Sequence, residues 1–179
     1  MEGFKPKYQR AYRISEKLKP KVDKQIDELL RDGKIRPSNS SCAHPVVLVY
    51  KPDKSIPICI DYISLNAGTV ADKYPMCRAD DILRKMAPAN FISTLDCTSG
   101  YCQLQIASES IPLTSFISHR GQFGFLVMPF GLKFTGSSYQ RAIDNLLSDH
   151  QEYAAGSEMA MGPIILTRYN PTHYLLDPT

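Results

Sequence analysis

Residues 90–101, which read NFISTLDCTSGY, decide the fold of this chain of 179 residues. Residues 90–95 are apolar and β-branched, which is typical of a strand. The strand ends on Asp96, and the turn residues Thr98-Ser99-Gly100 follow. A carboxylate at the end of a strand is well placed to meet a metal ion or a ligand. Spacing alone favours a structural interpretation of both polar residues here. Asp96 would only cap the turn through its side chain, and Tyr101 would be a half-buried tyrosine of a strand.

Hydrophobic periodicity assigns elements on both sides of this stretch and predicts an α+β fold. Helices are predicted at residues 19–31, 80–86 and 137–147. Further strands are predicted at residues 45–50, 58–62, 101–106, 113–118 and 122–127, with residues 66–78 irregular. After Asp149 no sustained period is visible.

Composition predicts a packed globular chain, since 43% of the residues are hydrophobic and 22% are charged. The overall charge of +3 is unevenly distributed. Residues 1–36 hold 11 basic and 6 acidic residues, a net of +5, and the remainder holds 10 and 12, a net of −2. A basic amino-terminal arm suits an anionic partner, although a charge run is more often a solvated face.

Several classes of protein are excluded. No apolar run approaches the roughly 18 residues of a membrane span, so no membrane partner is expected. The start has no apolar signal region, which predicts an intracellular protein, cytoplasmic by default with the nucleus as an alternative. The five cysteines include no C-x-x-C pair, which argues against a disulfide framework or a zinc site.

A basic turn is predicted between the strands at residues 45–50 and 58–62. Lys51 and Lys54 flank Asp53 there. An exposed lysine can meet a phosphate as a point charge, although solvated turn lysines are commoner.

Five stretches in one order resemble the reverse transcriptase of gypsy-type long-terminal-repeat retrotransposons and retroviruses. The resemblance runs from about residue 12 to residue 147 and implies the fingers and the front of the palm of a right-hand polymerase. The stretches are IRPSNSSCAHPVVLVYKPDKS, CIDYISLN, YPMCRADDILRKM, FISTLDCTSGYCQLQI and FLVMPFGLK.

The resemblance implies a catalytic role for Asp96, which matches the first catalytic aspartate of the family. That aspartate binds both Mg²⁺ ions, with Mn²⁺ as an alternative. The main chain at Cys97 is implied in holding the incoming triphosphate.

The resemblance also implies a nucleotide site around Tyr101, which matches the aromatic residue that stacks under the sugar and excludes a 2′-hydroxyl. Lys51 matches a fingers lysine that approaches the triphosphate. Phe130 and Gly131, in the segment MPFGL at residues 128–132, are implied to line the nucleotide and template site.

The chain departs from the family pattern at several positions. Pro57 stands where the family has an arginine that grips the triphosphate, and Ile63 stands where an arginine usually follows the Asp-Tyr pair. Cys102 replaces the usual tryptophan after the aromatic gate, and residues 134–136 replace an Asn-Ala-Pro sequence.

The most important departure is the absent Tyr-x-Asp-Asp hairpin. Family spacing places it near Glu158, where residues 156–160 read GSEMA. The similar stretch at residues 174–178 has Pro178 where the second aspartate belongs and is taken as chance. The implied two-metal site is therefore incomplete, and we expect the fragment to be truncated before the hairpin and inactive alone.

Three segments are expected: a basic segment and fingers helix (1–36), the fingers and first palm (37–149) and a divergent tail (150–179). The implied partners are an RNA or DNA primer-template and deoxynucleoside triphosphates. Without the hairpin, the strand at residues 90–95 should lack a neighbour and favour self-association through an incomplete palm sheet. The alternatives are a non-catalytic remnant that binds nucleic acid or a partner, and a relic without a molecular role.

Overall fold

The computed structural model describes residues 6–75 and 78–150, together with the backbone of residues 154–155 and 164–168. Contacts divide the chain into unit 1, residues Met1–Ala71 and Tyr101–Thr135, and unit 2, residues Asp72–Gly100 and Gly136–Thr179. The elements are, in chain order, α1 (Lys19–Arg31), β1 (Ile35–Pro37), β2 (His44–Leu48), β3 (Ile58–Ile60), α2 (Ile63–Gly68), α3 (Ala79–Met86), β4 (Phe91–Leu95), β5 (Phe116–Ser118), β6 (Gly121–Phe125), α4 (Thr135–Leu146), β7 (Ala154–Ala155) and β8 (Ile164–Arg168).

The mixture of helices and strands confirms the predicted α+β class. Among the described residues, no helix has both the length and the apolar character that crossing a membrane requires.

Helix α1 has the bounds that its periodicity predicts. Val22 and Ile26 are buried on its apolar stripe, and a proline lies in its first turn, where the missing N–H costs nothing. Gly33 adopts φ +65°, a conformation that favours glycine, and the Lys34 N–H donates to the Leu29 carbonyl at 2.9 Å. The chain therefore leaves the helix at a defined angle and enters β1.

Unit 1 is built on a five-stranded sheet in the order β1-β6-β5-β2-β3. The pair β2–β5 is parallel, and the other pairs are antiparallel. Phe116 is fully buried in this sheet, with ring centroids 5.7 Å from Phe123 and 5.3 Å from Phe125. These rings and the apolar stripe of α1 form the core of unit 1.

His44 is the buried polar residue at the start of β2, with 1% of its surface exposed. Its Nε2–H donates to the Leu113 carbonyl at 3.1 Å, and its ring meets Tyr62 edge-on at 5.1 Å. Burial lowers the pKa of His44, so the neutral form is favoured. This histidine is therefore a structural residue.

Three local predictions in unit 1 are wrong. Residues 101–106 do not form a strand, because the chain turns at Ser99 with φ +53° and continues as a 3₁₀ turn at Gly100–Gln103. Pro112 favours a second 3₁₀ turn at Ile111–Thr114, which shortens the following strand to β5. Residues 63–68, partly assigned as irregular, form α2.

Unit 2 contains an antiparallel sheet in the order β4-β8-β7. The expectation that the strand at residues 90–95 loses its neighbour is wrong on one side, because β8 pairs with all five residues of β4, from Phe91 opposite Arg168 to Leu95 opposite Ile164. On its other side β4 is the last strand of the described sheet, so the expected unpaired edge is present. The apolar, β-branched sequence of β8 suits this position.

A polar network fastens the segment before residue 75 to α4 within unit 2. The Arg141 guanidinium donates to both carboxylate oxygens of Asp72, at 2.7 and 2.9 Å, and lies 4.9 Å above the Tyr74 ring. The Tyr74 hydroxyl donates to Asp144 at 2.9 Å. Both bonds come from the same nitrogen, Nη2, and the added cation–π contact fixes the guanidinium better than a single surface salt bridge would.

Candidate functional site

Asp96 follows the last residue of β4, as the strand and turn pattern predicts. Its side chain is exposed, and that of Cys97 is half-buried. Ser99 then turns the chain through its positive φ. The carboxylate of Asp96 is thus presented to solvent at the end of a strand in unit 2.

Tyr139 on α4 lies against this turn, although no functional role was predicted for it from the sequence. A Cβ atom added to Gly100 would lie 2.6 Å from the Tyr139 hydroxyl oxygen, so a larger residue at position 100 would displace the end of the Tyr139 side chain. The hydroxyl hydrogen-bonds with Cys97 and faces the charge of Asp96. Burial, that hydrogen bond and the charges of Cys97 and Asp96 together raise the pKa of Tyr139 to about 12. Tyr139 therefore stays protonated and acts as a hydrogen-bond donor beside Asp96.

Tyr101 and Phe130 are brought together in unit 1. Their ring centroids are 5.2 Å apart, with planes inclined at 64°, which is a favourable edge contact. Phe130 keeps 51% of its surface exposed. The two residues that the resemblance assigns to nucleotide binding thus form one aromatic surface, open to a ligand.

Asn66 fixes the loop that carries Phe130 and Gly131, and sequence reasoning missed it. Its amide donates to the Gly131 carbonyl at 2.8 Å, and its side-chain oxygen accepts from the Lys133 N–H at 2.8 Å. Gly131 has φ +90°, which a residue with a side chain rarely adopts. The clamp holds an otherwise strained turn in a single shape.

Lys51 lies on the exposed turn between β2 and β3. Its N–H donates to the Ser55 carbonyl, and the Lys54 N–H donates to the Lys51 carbonyl, both at 3.0 Å. Hydrogen bonds from Ser55 lower the pKa of Asp53. Within the described part of the chain, neither Lys51 nor Lys54 forms an ion pair, so both ammonium groups are available.

A pocket of about 330 Å³ opens in unit 1 beside Phe130 and Gly131. Cys102, at the position of the family tryptophan, lies in its wall, and burial raises the pKa of this thiol. Leu29, Ile58 and Cys59 also line the pocket.

Carboxylates do not converge around Asp96 in the described residues. No group of three or more His, Cys, Asp or Glu side chains within residues 6–75 and 78–150 could hold a metal ion. Strands β7 and β8 flank residues 156–163, where the family spacing places the Tyr-x-Asp-Asp motif. That stretch reads GSEMAMGP and contains Glu158 as its only acidic residue.

The family profile described as "Reverse transcriptase (RNA-dependent DNA polymerase)" matches residues 49–169. The Pol polyproteins of the Drosophila melanogaster transposons opus and gypsy are each 37% identical to the chain, over 81% and 80% of its length. The match covers 15% and 14% of these polyproteins, so the chain spans about a seventh of their length.

Solved structures agree with this match. The prototype foamy virus protease-reverse transcriptase superposes with a TM-score of 0.78 at 26% identity, covering 97% of this chain and 23% of the viral one. A structure of the foamy viral enzyme with an RNA/DNA hybrid gives a TM-score of 0.81 at 22% identity, with coverage of 97% and 23%. The profile match, the transposon relatives and the shared fold together establish that this chain belongs to the reverse transcriptase family of retrotransposon and retroviral Pol proteins and covers part of that domain.

Proposed function

We propose that this chain is a reverse transcriptase fragment that binds primer-template nucleic acid but does not catalyse nucleotidyl transfer alone. The observation that carries the proposal is the stretch between β7 and β8. These strands flank the place where the carboxylate pair is expected, yet residues 156–163 contain one acidic residue, Glu158.

The donor set does not fit the two-metal centre that the family resemblance implies. Two metal ions about 4 Å apart need several converging anionic oxygens, and Mg²⁺ gives up its water reluctantly. Asp96 is a single exposed carboxylate, and the described residues offer no cluster around it. Asp96 therefore keeps its position at the strand end, while the described part of the chain supplies no further ligands that would make it part of a metal site.

The triphosphate site is also weakened. Pro57 at the expected arginine position removes a bidentate grip on phosphate, and Lys51 supplies only a point charge. We assign Tyr101, Phe130 and the clamped Gly131 to the nucleotide and template, which their shared aromatic surface in unit 1 supports. From the resemblance alone, we also propose that the main chain at Cys97 contacts the triphosphate. This combination favours weak nucleotide binding without turnover.

Nucleic acid is the partner that the charge distribution supports. Residues 1–36 carry a net charge of +5, and the turn at Lys51 adds two exposed lysines. The foamy viral enzyme of the same fold has been solved with an RNA/DNA hybrid, which supports a primer-template as the partner of this chain.

Affinity for a primer-template should fall steeply with salt, because the neutralisation of phosphates releases counterions. With four phosphate contacts, raising the salt from about 50 to about 200 mM lowers affinity about 100-fold. Fluorescence anisotropy with a labelled primer-template measures the slope.

Lys51→Gln removes one phosphate contact. The slope of log affinity against log salt concentration should therefore become shallower by about one. Lys73→Gln is the matched control, because Lys73 is an exposed lysine that lies outside both residues 1–36 and the turn at Lys51. Affinity that ignores salt, or equal slopes for both variants and wild type, contradicts the electrostatic mode.

Self-association through unit 2 belongs to the same proposal. Strand β4 has β8 on one side and is the last strand of the described sheet on the other. Its residues Phe91, Ile92 and Leu95 are 63%, 47% and 53% exposed. An uncharged edge strand with exposed apolar side chains pairs readily with a second copy.

Sedimentation velocity should show oligomers whose population rises with concentration. Ile92→Lys places a charge on the strand and should shift the protein towards monomer. A wild-type protein that stays monomeric at every concentration contradicts this part of the proposal.

A further inference from the structure

The segment before α1 is fastened to unit 1 as an ordered strap, which we define as residues 7–13. The Ala43 N–H donates to the Lys7 carbonyl at 3.1 Å, and the Gln9 N–H donates to the Ala43 carbonyl at 2.9 Å. The Ser64 hydroxyl donates to the Gln9 side chain at 2.9 Å. Backbone and side-chain bonds therefore hold the strap in one register on β2 and α2.

The strap presents aromatic rings to solvent. Tyr8 and Tyr12 are 61% and 53% exposed, although tyrosine usually buries most of its ring. The Tyr12 hydroxyl donates to Asp61 at 3.3 Å, which anchors the tip of the ring and leaves the side chain half-exposed. The other oxygen of Asp61 accepts the Ile63 N–H at 3.0 Å, so both carboxylate oxygens are engaged.

Cations of the strap alternate with these rings. Lys7, Arg10 and Arg13 are exposed, and none of them forms an ion pair within the described part of the chain. Two cations of α1 differ from these, since Lys24 pairs with Glu28 and Arg31 pairs with Asp32. The strap therefore keeps its positive charge available to a ligand.

We infer that the strap is a binding surface for single-stranded nucleic acid, with bases stacked on Tyr8 and Tyr12 and phosphates met by Lys7, Arg10 and Arg13. Aromatic faces alternating with cations are the arrangement by which proteins hold single strands without reading sequence. A duplex keeps its bases stacked on each other and offers such rings only the grooves and the backbone. This inference rests on the proposed function and names the part of a primer-template that the strap holds, its unpaired template strand.

The test compares a labelled single strand of about 12 nucleotides with a blunt duplex of the same length. Tyr8→Leu/Tyr12→Leu removes both rings and keeps apolar bulk, and Tyr8→Phe/Tyr12→Phe keeps both rings. The leucine variant should bind the single strand at least about fivefold more weakly than wild type, because one stacked base contributes at least 1 kcal/mol. The phenylalanine variant should bind within about twofold of wild type, and circular dichroism confirms that both variants fold.

The outcomes separate the inference from the proposed function. The leucine variant should bind the duplex as tightly as wild type and the single strand more weakly. That result supports the inference that the strap binds single strands. If the leucine variant binds the single strand as tightly as wild type, the inference that the strap binds single strands is wrong, and the strap is a solvated face. The proposed function is not affected by that result. A wild-type protein that binds neither probe overturns both.

RNA and DNA single strands of the same sequence form the last pair of probes. Stacking and phosphate contacts do not read the 2′-hydroxyl, so the two should bind within about threefold. A preference of tenfold or more contradicts the stacking mode. A 2-aminopurine base in the strand should change its fluorescence on binding to wild type and not to the leucine variant.

Discussion

Phe116→Ala should lower the free energy of unfolding of unit 1 by about 4 kcal/mol. Phe116 is fully buried, and its ring touches those of Phe123 and Phe125 at the centre of the five-stranded sheet. The truncation leaves a cavity that the surrounding strands cannot fill. Since a domain is stable by roughly 5–15 kcal/mol, the variant should lose between about a quarter and most of its stability.

Urea unfolding followed by circular dichroism measures the effect. Tyr50→Ala is the control, because Tyr50 lies in the same unit and is 70% exposed. Its free energy of unfolding should stay within about 0.5 kcal/mol of wild type. Equal losses for the two variants would mean that the rings of Phe116, Phe123 and Phe125 do not form the core.

The parts of the fold that follow from local physics could be predicted from the sequence. Helix α1 has an apolar stripe, a proline in its first turn and a glycine after its end, and its bounds agree with the prediction. The strands around the basic turn and the strand before Asp96 also follow from runs of β-branched residues. Each of these signals lies within a few residues of the structure that it determines.

The parts of the fold that depend on contacts between distant residues could not be predicted from the sequence. Strand β8 is short, and its position is decided by pairing with β4, which no local pattern reports. The strand predicted after Gly100 gives way to a 3₁₀ turn that begins at the positive φ of Ser99. Tertiary context overrides propensity in such short segments.

The candidate site divides in the same way. Asp96, Tyr101, Phe130 and Lys51 are found in a recognisable order along the chain, and the structure joins Tyr101 with Phe130. The supporting residue Asn66 acts through contacts more than 60 residues away in sequence. Residues that contact a ligand are easier to identify from sequence patterns than residues that hold those ligand-contacting residues in place.

Nucleotidyl transfer by this chain alone should be undetectable, which is the largest effect that we expect. One metal activates the primer hydroxyl and the other stabilises the leaving pyrophosphate, so a site without the carboxylate pair loses transition-state stabilisation twice. Each tenfold loss in rate corresponds to about 1.4 kcal/mol of barrier, and we expect several such factors. Asp96→Asn should then cause no further loss, because the described residues 6–75 and 78–150 offer Asp96 no cluster of metal-binding side chains through which to act.

Primer extension by the purified protein is the most direct test of this account. The assay supplies deoxynucleoside triphosphates with Mg²⁺ or Mn²⁺, an active reverse transcriptase as positive control, and a primer-template that anisotropy shows to be bound. We predict that wild type and Asp96→Asn both remain at the background of the protein-free reaction while the bound fraction stays high. Clear extension by wild type that disappears in Asp96→Asn would contradict the account and would mean that Glu158 or a second chain supplies the missing carboxylate.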